Sequence, residues 1–581
     1  PHTYADPNEA KVTHLEWDAE VDFDTRIITA TAEYNIEKAD SASEIVLDVN
    51  HLTISEVKVN GEAVEYEIGP SKQYLGSPLA IPLQADSKTI SIAYTTAPDA
   101  EALLWVEGDK PFLFSQSQAI LARTWIPCQD SPGIRYTYNA RVKVPTGLLA
   151  LMSAENPQAM NEESVYSFKM EQPIPSYLMA LAAGDLEFRA IGEKTGVYAT
   201  PELIEAAEYE FQEMDDMLKA AEALYGKYVW DRYDLLILPP AFPFGGMENP
   251  RLTFATPTII AGDRSLVALV AHELAHSWSG NLVTNSTWDD FWLNEGFTVY
   301  FEQRIMESVY GREHSEMLAK LTKQSLVEEE EVIRAANAAD TKLKLDLEGR
   351  NPDDGLTVIP YDKGYFFLRL LEESVGRENF DTFLKAYFTE HSFQVMDTDA
   401  FITYLRENLL KDEFADVVDI DAWIFGEGIP ANIPDVDSDR IDKVDGFAAQ
   451  WAGGEITSYD VPWESWVYQE RYRFLTNIEG ATAEQLKELN DAFSILASGN
   501  NEVLFAMLQQ SIRSDFEEAY PKVEEFLINV GRRKFLTPLY DAMKTTGKME
   551  MALDIYGKAR ANYHAVSTGT MDELLAWEAE K

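Results

Sequence analysis

Near the middle of the chain, His272-Glu273-Leu274-Ala275-His276 is followed, nineteen residues after the second histidine, by Glu295 in Trp292-Leu293-Asn294-Glu295-Gly296. No other feature restricts the fold as tightly. Residues i and i+4 share one face of a helix, so His272 and His276 can aim both imidazoles at one ion when the segment is helical. Two nitrogens and one carboxylate oxygen leave a tetrahedral zinc with one position open for water, as hydrolytic zinc sites require. Glu273 lies about 100° round the helix from His272, near enough to reach such a water without occupying the metal. Zinc brings the pKa of its water to about 7, and an adjacent carboxylate can take the proton and hand it to a leaving amine. The expected ligands are therefore His272, His276 and Glu295, for one zinc per chain, with Glu273 as the general base. A structural histidine pair on an amphipathic helix would account for the two histidines but not for the spaced Glu295.

Length and composition set the frame around that site. At 581 residues the chain exceeds what one core can organise and predicts three or four domains. Hydrophobic residues at 46%, with 12% aromatic, supply ample material for burial and exclude a disordered chain. Acidic side chains number 99 against 48 basic ones, a net charge of −51. That balance opposes nucleic acid and anionic membrane, so neither is expected as a partner. Its plain reading is a heavily hydrated surface, compatible with a saline or a cold habitat. The single cysteine, Cys128, excludes an internal disulfide and a multi-cysteine metal site, and is expected to be a buried thiol. No run approaches the roughly 18 to 20 apolar residues that cross a bilayer. Cysteine poverty suits the cytoplasm; because the chain begins at Pro1 rather than Met, a periplasmic or secreted location stays open.

The patterning predicts a multidomain α+β protein. Residues 1–188 read as a β domain, a saddle or sandwich: Ile27 to Tyr34 carries the β-branched enrichment of a strand, and Asn60-Gly61 between alternating flanks signals a hairpin. Residues 189–426 mix helices with short strands. Leu235-Leu236-Ile237-Leu238 should be a buried strand that stops at Pro239-Pro240. An apolar helix is expected from Ser265 into the histidine motif, ending at Gly280-Asn281, with a second helix from about Phe291. Glu328 to Glu331 reads as the solvated face of a helix. Residues 427–440 form a Pro/Gly-rich linker, and 441–581 an α-helical solenoid whose amphipathic segments include Ala483 to Leu496 and Val503 to Ile512.

Three stretches together, Gly245-Gly246-Met247-Glu248-Asn249-Pro250, His272 to His276, and Trp292 to Gly296, resemble the zinc aminopeptidases of the gluzincin group. The similarity is to the branch containing leukotriene A-4 hydrolase and aminopeptidase B, strengthened by Ser277 to Asn285, and bacterial members are the expected company. It implies a β domain, a thermolysin-like α/β catalytic domain and a helical C-terminal domain. It also implies that Glu248, with Gln116 and Gln118 on Ser115-Gln116-Ser117-Gln118-Ala119, recognises the free α-ammonium of a short peptide. By composition alone Glu248 is an ordinary loop acid. Gly245 and Gly246, with Met247, would let the substrate backbone pair alongside as an added strand. Tyr361 resembles the tyrosine that donates to the developing oxyanion. Asp353 matches an acid near the side-chain pocket, or else caps a helix or turn. Arg532 and Lys534 resemble a basic pair that grips a peptide's C-terminal carboxylate, or else pair with surface acids. Nothing in the chain calls for more than a monomer.

Two departures bear on activity. The branch's lipid epoxide hydrolase has a tyrosine five residues before the oxyanion tyrosine, where this chain has Leu356, and another just before Gly245, where this chain has Phe244. An aminopeptidase with little lipid epoxide hydrolase activity is expected. Two rivals remain at this stage: a zinc endopeptidase with the same ligands, and a noncatalytic peptide-binding protein with a structural zinc.

Overall fold

The computed structural model describes residues 2–577. Its first sheet has seven strands in the order Val165–Pro175, Arg135–Lys143, Ala10–Asp22, Ile27–Lys38, Thr89–Thr95, Thr53–Val59, Glu62–Ala63. Alternation builds it: on Ala10–Asp22, Trp17, Ala19 and Val21 are buried while Asp18, Glu20 and Asp22 face water. Much of the acidity is thus spent on the wet face, where Asp18 and Glu20 meet Arg141 and Lys143 across the parallel pairing. Asn60 and Gly61 take φ of 49° and 83°, as the expected hairpin turn demands. Sheets of three and four strands complete this β domain, and Cys128 is buried within it.

A five-stranded sheet follows, ordered Glu187–Ala190, Thr195–Ala199, Tyr233–Ile237, Leu252–Ala255, Gly246–Met247. The boundary expected at 188 therefore falls inside a strand of this five-stranded sheet. Tyr233–Ile237 is parallel to both neighbours and buried along its whole length, which its unbroken apolar run reflects. Gly246–Met247 lies at the edge, antiparallel to Leu252–Ala255. The helix of the histidine motif spans Ala268–Ala275, shorter than expected, and His276 is its C-cap. The chain then folds back on itself: Asn281 N–H donates to His276 O and Gly280 N–H to Val283 O, with Gly280 at φ 101°. Those turn bonds replace the helical ones that would have carried the helix to Gly280. The second helix, Trp292–Tyr310, is buried for most of its length. On the next helix, Arg312–Ala336, Glu328, Glu329 and Glu331 are exposed as expected, but Glu330 is 4% exposed and pairs with Arg334. The solvated-face reading is corrected at that residue.

After the coil that leads to Asp439–Ala452, helices alternate in two layers. Tyr468–Thr476 packs on Asn501–Arg513, that on Arg533–Thr545, and that on Ala565–Leu575, while Tyr520–Asn529 packs on Met549–Ala559 behind them. Thr482 and Asn500 cap Ala483–Phe493 and Asn501–Arg513 through their side chains. The helical domain touches the catalytic one beside the Gly245 loop, where Gly531 N–H donates to Pro240 O and Arg533 N–H to Pro243 O. A Cβ on Gly531 would meet Ala241 Cα at 2.8 Å, so that contact is backbone on backbone.

Candidate active site

His272 Nε2 lies 3.3 Å and His276 Nε2 3.5 Å from the same oxygen, Glu295 Oε2. Ligands about 2.0–2.1 Å from a tetrahedral zinc stand about 3.3 Å apart, so the three atoms already mark out one face of such a site. Glu295 Oε2 is buried and accepts no hydrogen bond, an orphaned oxygen that a cation would satisfy. The other nitrogen of each ring is occupied. His276 Nδ1 donates to Ser279 O at 3.0 Å, and His272 Nδ1 stands 2.9 Å from Glu302 Oε2. With Nδ1 so bonded, Nε2 is the nitrogen each ring turns to the metal. The donor set fits zinc.

Burial and the crowding of carboxylates shift the protonation of these groups. Burial pushes His276 down to about 4. Burial also works to lower His272, but the Glu295 and Glu302 carboxylates outweigh it and hold the ring well above its usual value. Burial drives the Glu273 carboxyl well above its ordinary range, with Glu248 and Glu295 adding to the rise against His272. It brings Glu248 up to about 7.

Glu273 is 6% exposed, and its Oε2 has no partner. Its Oε1 lies against the edge strand, where a Cβ on Gly246 would come within 2.3 Å. On Gly245 a Cβ would meet Leu269 Cδ1 at 2.5 Å and Arg532 Nη2 at 2.8 Å. Both glycines are thus required by close approach. Met247 turns inward, its sulfur 3.2 Å from Gln116 Nε2. Glu248 is 4% exposed; its carbonyl accepts from Asn281 Nδ2 at 2.7 Å, and its Oε1 is buried without a partner. The carboxylates of Glu248 and Glu273 and the His276 ring each offer an atom within 4.8 Å of the others. Tyr361 sits on a wide helical turn, Ile359–Lys363, with its ring stacked 6.2 Å from that of His272. Burial and the neighbouring carboxylates push its phenol well above the usual value, so it stays protonated and able to donate.

A cavity of about 850 Å³ joins the zinc ligands, Glu273, Glu248 and Tyr361 to Gln118, Phe244, Leu356, Arg532 and Lys534, whereas Met247 and Gln116, expected at the substrate, are not among the residues that line it. Arg532 is buried, the Lys534 side chain is half-exposed, and both meet Glu502. Lys534 Nζ is 2.8 Å from both oxygens of Glu502, and Arg532 Nη1 is 3.4 Å from one of them. Burial alone would raise Glu502, yet the two cations hold it below its ordinary value. Asp353 is not brought to this cavity. It lines a second one, of about 820 Å³, which shares Leu356, Arg533 and Thr537 with the first. Nor does Asp353 cap its turn: Asn351 does, accepting from Asp353 N–H at 3.1 Å. Glu302, Asn281 and Glu502 escaped the sequence reading. Glu302 was within reach of it, since it stands seven residues, two helical turns, beyond Glu295. Glu502 carries no local signal.

The fold and this donor set define a zinc metallopeptidase. The chain matches the Peptidase M1 N-terminal domain over residues 11–178, the Peptidase family M1 domain over 209–423 and the leukotriene A4 hydrolase C-terminal region over 466–575. Leukotriene A-4 hydrolase of Xenopus laevis is 36% identical over 595 residues, covering 98% of this chain and 97% of that one. Leucine aminopeptidase 2 of Pyricularia oryzae is 34% identical over 97% of this chain and 96% of its own. Yeast leukotriene A4 hydrolase, solved with bestatin, superposes with a TM-score of 0.92 at 30% identity, over 99% of this chain and 97% of its own. The chain belongs to the M1 family of zinc aminopeptidases, in the branch that holds leukotriene A-4 hydrolase and leucine aminopeptidase 2. Among the described residues no helix is long and apolar enough to cross a membrane.

Proposed function

We propose that this enzyme removes the N-terminal residue from short peptides, and that it does so as a single chain. The observation that carries the reading is Glu248: a buried carboxylate with an unpartnered oxygen beside Glu273 and His276. It is the acceptor that an α-ammonium needs when the first peptide bond lies at the metal. Zinc held by His272, His276 and Glu295 supplies Lewis-acid activation of water and of the scissile carbonyl. Glu273 takes the proton of the attacking water and returns it to the departing amine. Tyr361, kept protonated by burial, donates to the oxygen that gains charge. The Gly245-Gly246 edge leaves room for the substrate backbone, Gln118 borders its N-terminal side, and Gln116 acts only through Met247, on which its amide rests. Arg532 and Lys534, only partly neutralised by Glu502, hold the far carboxylate, so that a tripeptide is fixed at both ends. Asp353, in the adjoining cavity, acts on the N-terminal residue's side chain only through the shared wall at Leu356.

All the site's side chains come from one chain, so a monomer suffices. Leu356 and Phe244 give the cavity wall an apolar lining. The enzyme is accordingly a poor lipid epoxide hydrolase, and efficient conversion of an allylic epoxide to a diol would overturn that. Paired free and N-acetylated tripeptides test the main reading. Turnover of the free peptide alone is expected, with a loss of about a hundredfold in kcat/KM for Glu248→Gln. Equal turnover of both peptides would make the chain an endopeptidase.

A further inference from the structure

Beyond the groups already assigned, the catalytic cavity has one wall made of acids without cations. Glu302 reaches it from Trp292–Tyr310, Glu329 from Arg312–Ala336 and Asp362 from the turn that carries Tyr361. Glu302 is bonded to His272, and Glu329 accepts from Ser325 Oγ at 3.0 Å. Among the described residues no lysine or arginine pairs with any of the three. Lys534 pairs with Glu502 rather than with these acids, and Lys320 and Lys323 on the Glu329 helix turn to Asp442 and Asp435. The turn Ile359–Lys363 that carries Asp362 packs against both the helix of Glu302 and the helix of Glu329, which brings the three acids to one side of the site. They share the cavity with the metal ligands and with the carboxylate anchor, Arg532 and Lys534. Burial and mutual repulsion push the Asp362 carboxyl well above its usual range, which an incoming cation would relieve.

Independently of the acids, buried polar atoms of the same cavity wait for a ligand. Glu248 Oε1 and Arg532 Nε have no partner, in residues only 4% and 7% exposed. Both residues line that cavity, Glu248 beside Glu273 and His276 and Arg532 beside Gly245 and Glu502. A tripeptide with its ammonium at Glu248 and its carboxylate at Arg532 and Lys534 sets its middle residue alongside the acidic wall. We propose that Asp362 and Glu329, backed by Glu302, receive the side chain of the substrate's second residue and select lysine or arginine there. The inference rests on the aminopeptidase reading and deepens it.

The test compares Leu-Lys-Gly with Leu-norleucine-Gly, which keeps the four-carbon stem and lacks the ammonium, on zinc-loaded enzyme. Leucine p-nitroanilide, which has no second residue, reports the aminopeptidase activity by itself. A preference of about tenfold in kcat/KM for the lysine peptide is expected, from one charge-assisted contact. In Glu329→Gln and Asp362→Asn the ratio should fall toward one. Because the ratio is taken within each variant, a general loss of turnover cancels, and Glu329 lies on an exposed helix face where the change is least harmful to folding. Equal use of the two tripeptides by the wild type, or a preference that survives both substitutions, overturns the proposal while anilide hydrolysis leaves the aminopeptidase reading standing. Failure to hydrolyse the anilide and both tripeptides overturns the two together.

Discussion

Gly296 and Gly364 face each other with no side chain between them: a Cβ on Gly296 would stand 2.9 Å from Gly364 Cα, and one on Gly364 would stand 2.8 Å from Gly296 Cα. Two helices, Trp292–Tyr310 and Gly364–Val375, thus meet backbone on backbone. Glu295 precedes the first glycine and Tyr361 stands three residues before the second. The closest contact between the helices accordingly fixes how far a metal ligand lies from the phenol.

Gly296→Ala should force that contact apart, since its Cβ would also lie 3.0 Å from Pro360 O, a backbone atom with little room to yield. Overpacking of this kind costs about 1–3 kcal/mol of stability. Because Tyr361 retreats with its turn, kcat should fall more than KM rises. Calorimetric Tm and steady-state kinetics check both; a lowered Tm with unchanged kcat would separate the helix contact from catalysis.

Gly246→Ala places a methyl group 2.3 Å from Glu273 Oε1 and 2.5 Å from its carboxylate carbon. The carboxylate must swing away while His272, His276 and Glu295 keep their places. Zinc content by elemental analysis should stay at one per chain, while kcat falls toward that of Glu273→Gln, itself down by about 10²–10⁴. A Gly246→Ala enzyme of full activity would mean that Glu273 does not work from the position it occupies here.

How much of this was legible in the sequence follows from which constraints are local. His272, His276 and Glu295 converge as expected because helical periodicity and one turn-back fix them. Asn60-Gly61 and the strand before Pro239 were likewise read from backbone preferences. The end of the motif helix was not, because the bonds that stop it at Ala275 come from Asn281 and Val283 folding back. Glu330 departs from its acidic run because the linker passes over it, with Gly428 3.6 Å from its carboxylate oxygen when given a Cβ. Glu502 sits 30 residues before Arg532 on another helix, and only packing of the helical domain joins them. Asp353 lines the cavity that adjoins the catalytic one across Leu356, Arg533 and Thr537, a placement that no local spacing foretells.

Glu302 should tune the metal without touching it. Its carboxylate on His272 Nδ1 orients the ring and raises the basicity of Nε2. Glu302→Gln keeps the shape and removes the charge, so zinc affinity should drop by about 10–100-fold. Competition with a fluorescent chelator measures this directly, and excess zinc should restore most of the lost turnover. An unchanged affinity would show that the ring holds its orientation without that partner.

Removing the metal should make stability depend on pH in a particular direction. In the metal-free site burial brings the Glu248 carboxyl up to about 7 from an ordinary value of 4.5, and Glu273 shifts the same way. Between those pH values the folded chain keeps a proton that the unfolded chain has released, so stability falls as pH rises through the window. A divalent cation beside the two carboxylates favours their charged forms and abolishes the fall. The gap in Tm between zinc-loaded and chelated protein should therefore widen from about pH 5 to about pH 8. Part of any widening reflects proton release by the histidine ligands, and Glu248→Gln isolates the rest. That variant has no carboxyl to ionise, so its chelated form should lose less stability over the same range than the wild type does. Identical pH profiles for the two chelated proteins would show that Glu248 is already ionised without the metal, and that its buried oxygen is stabilised by something other than a proton.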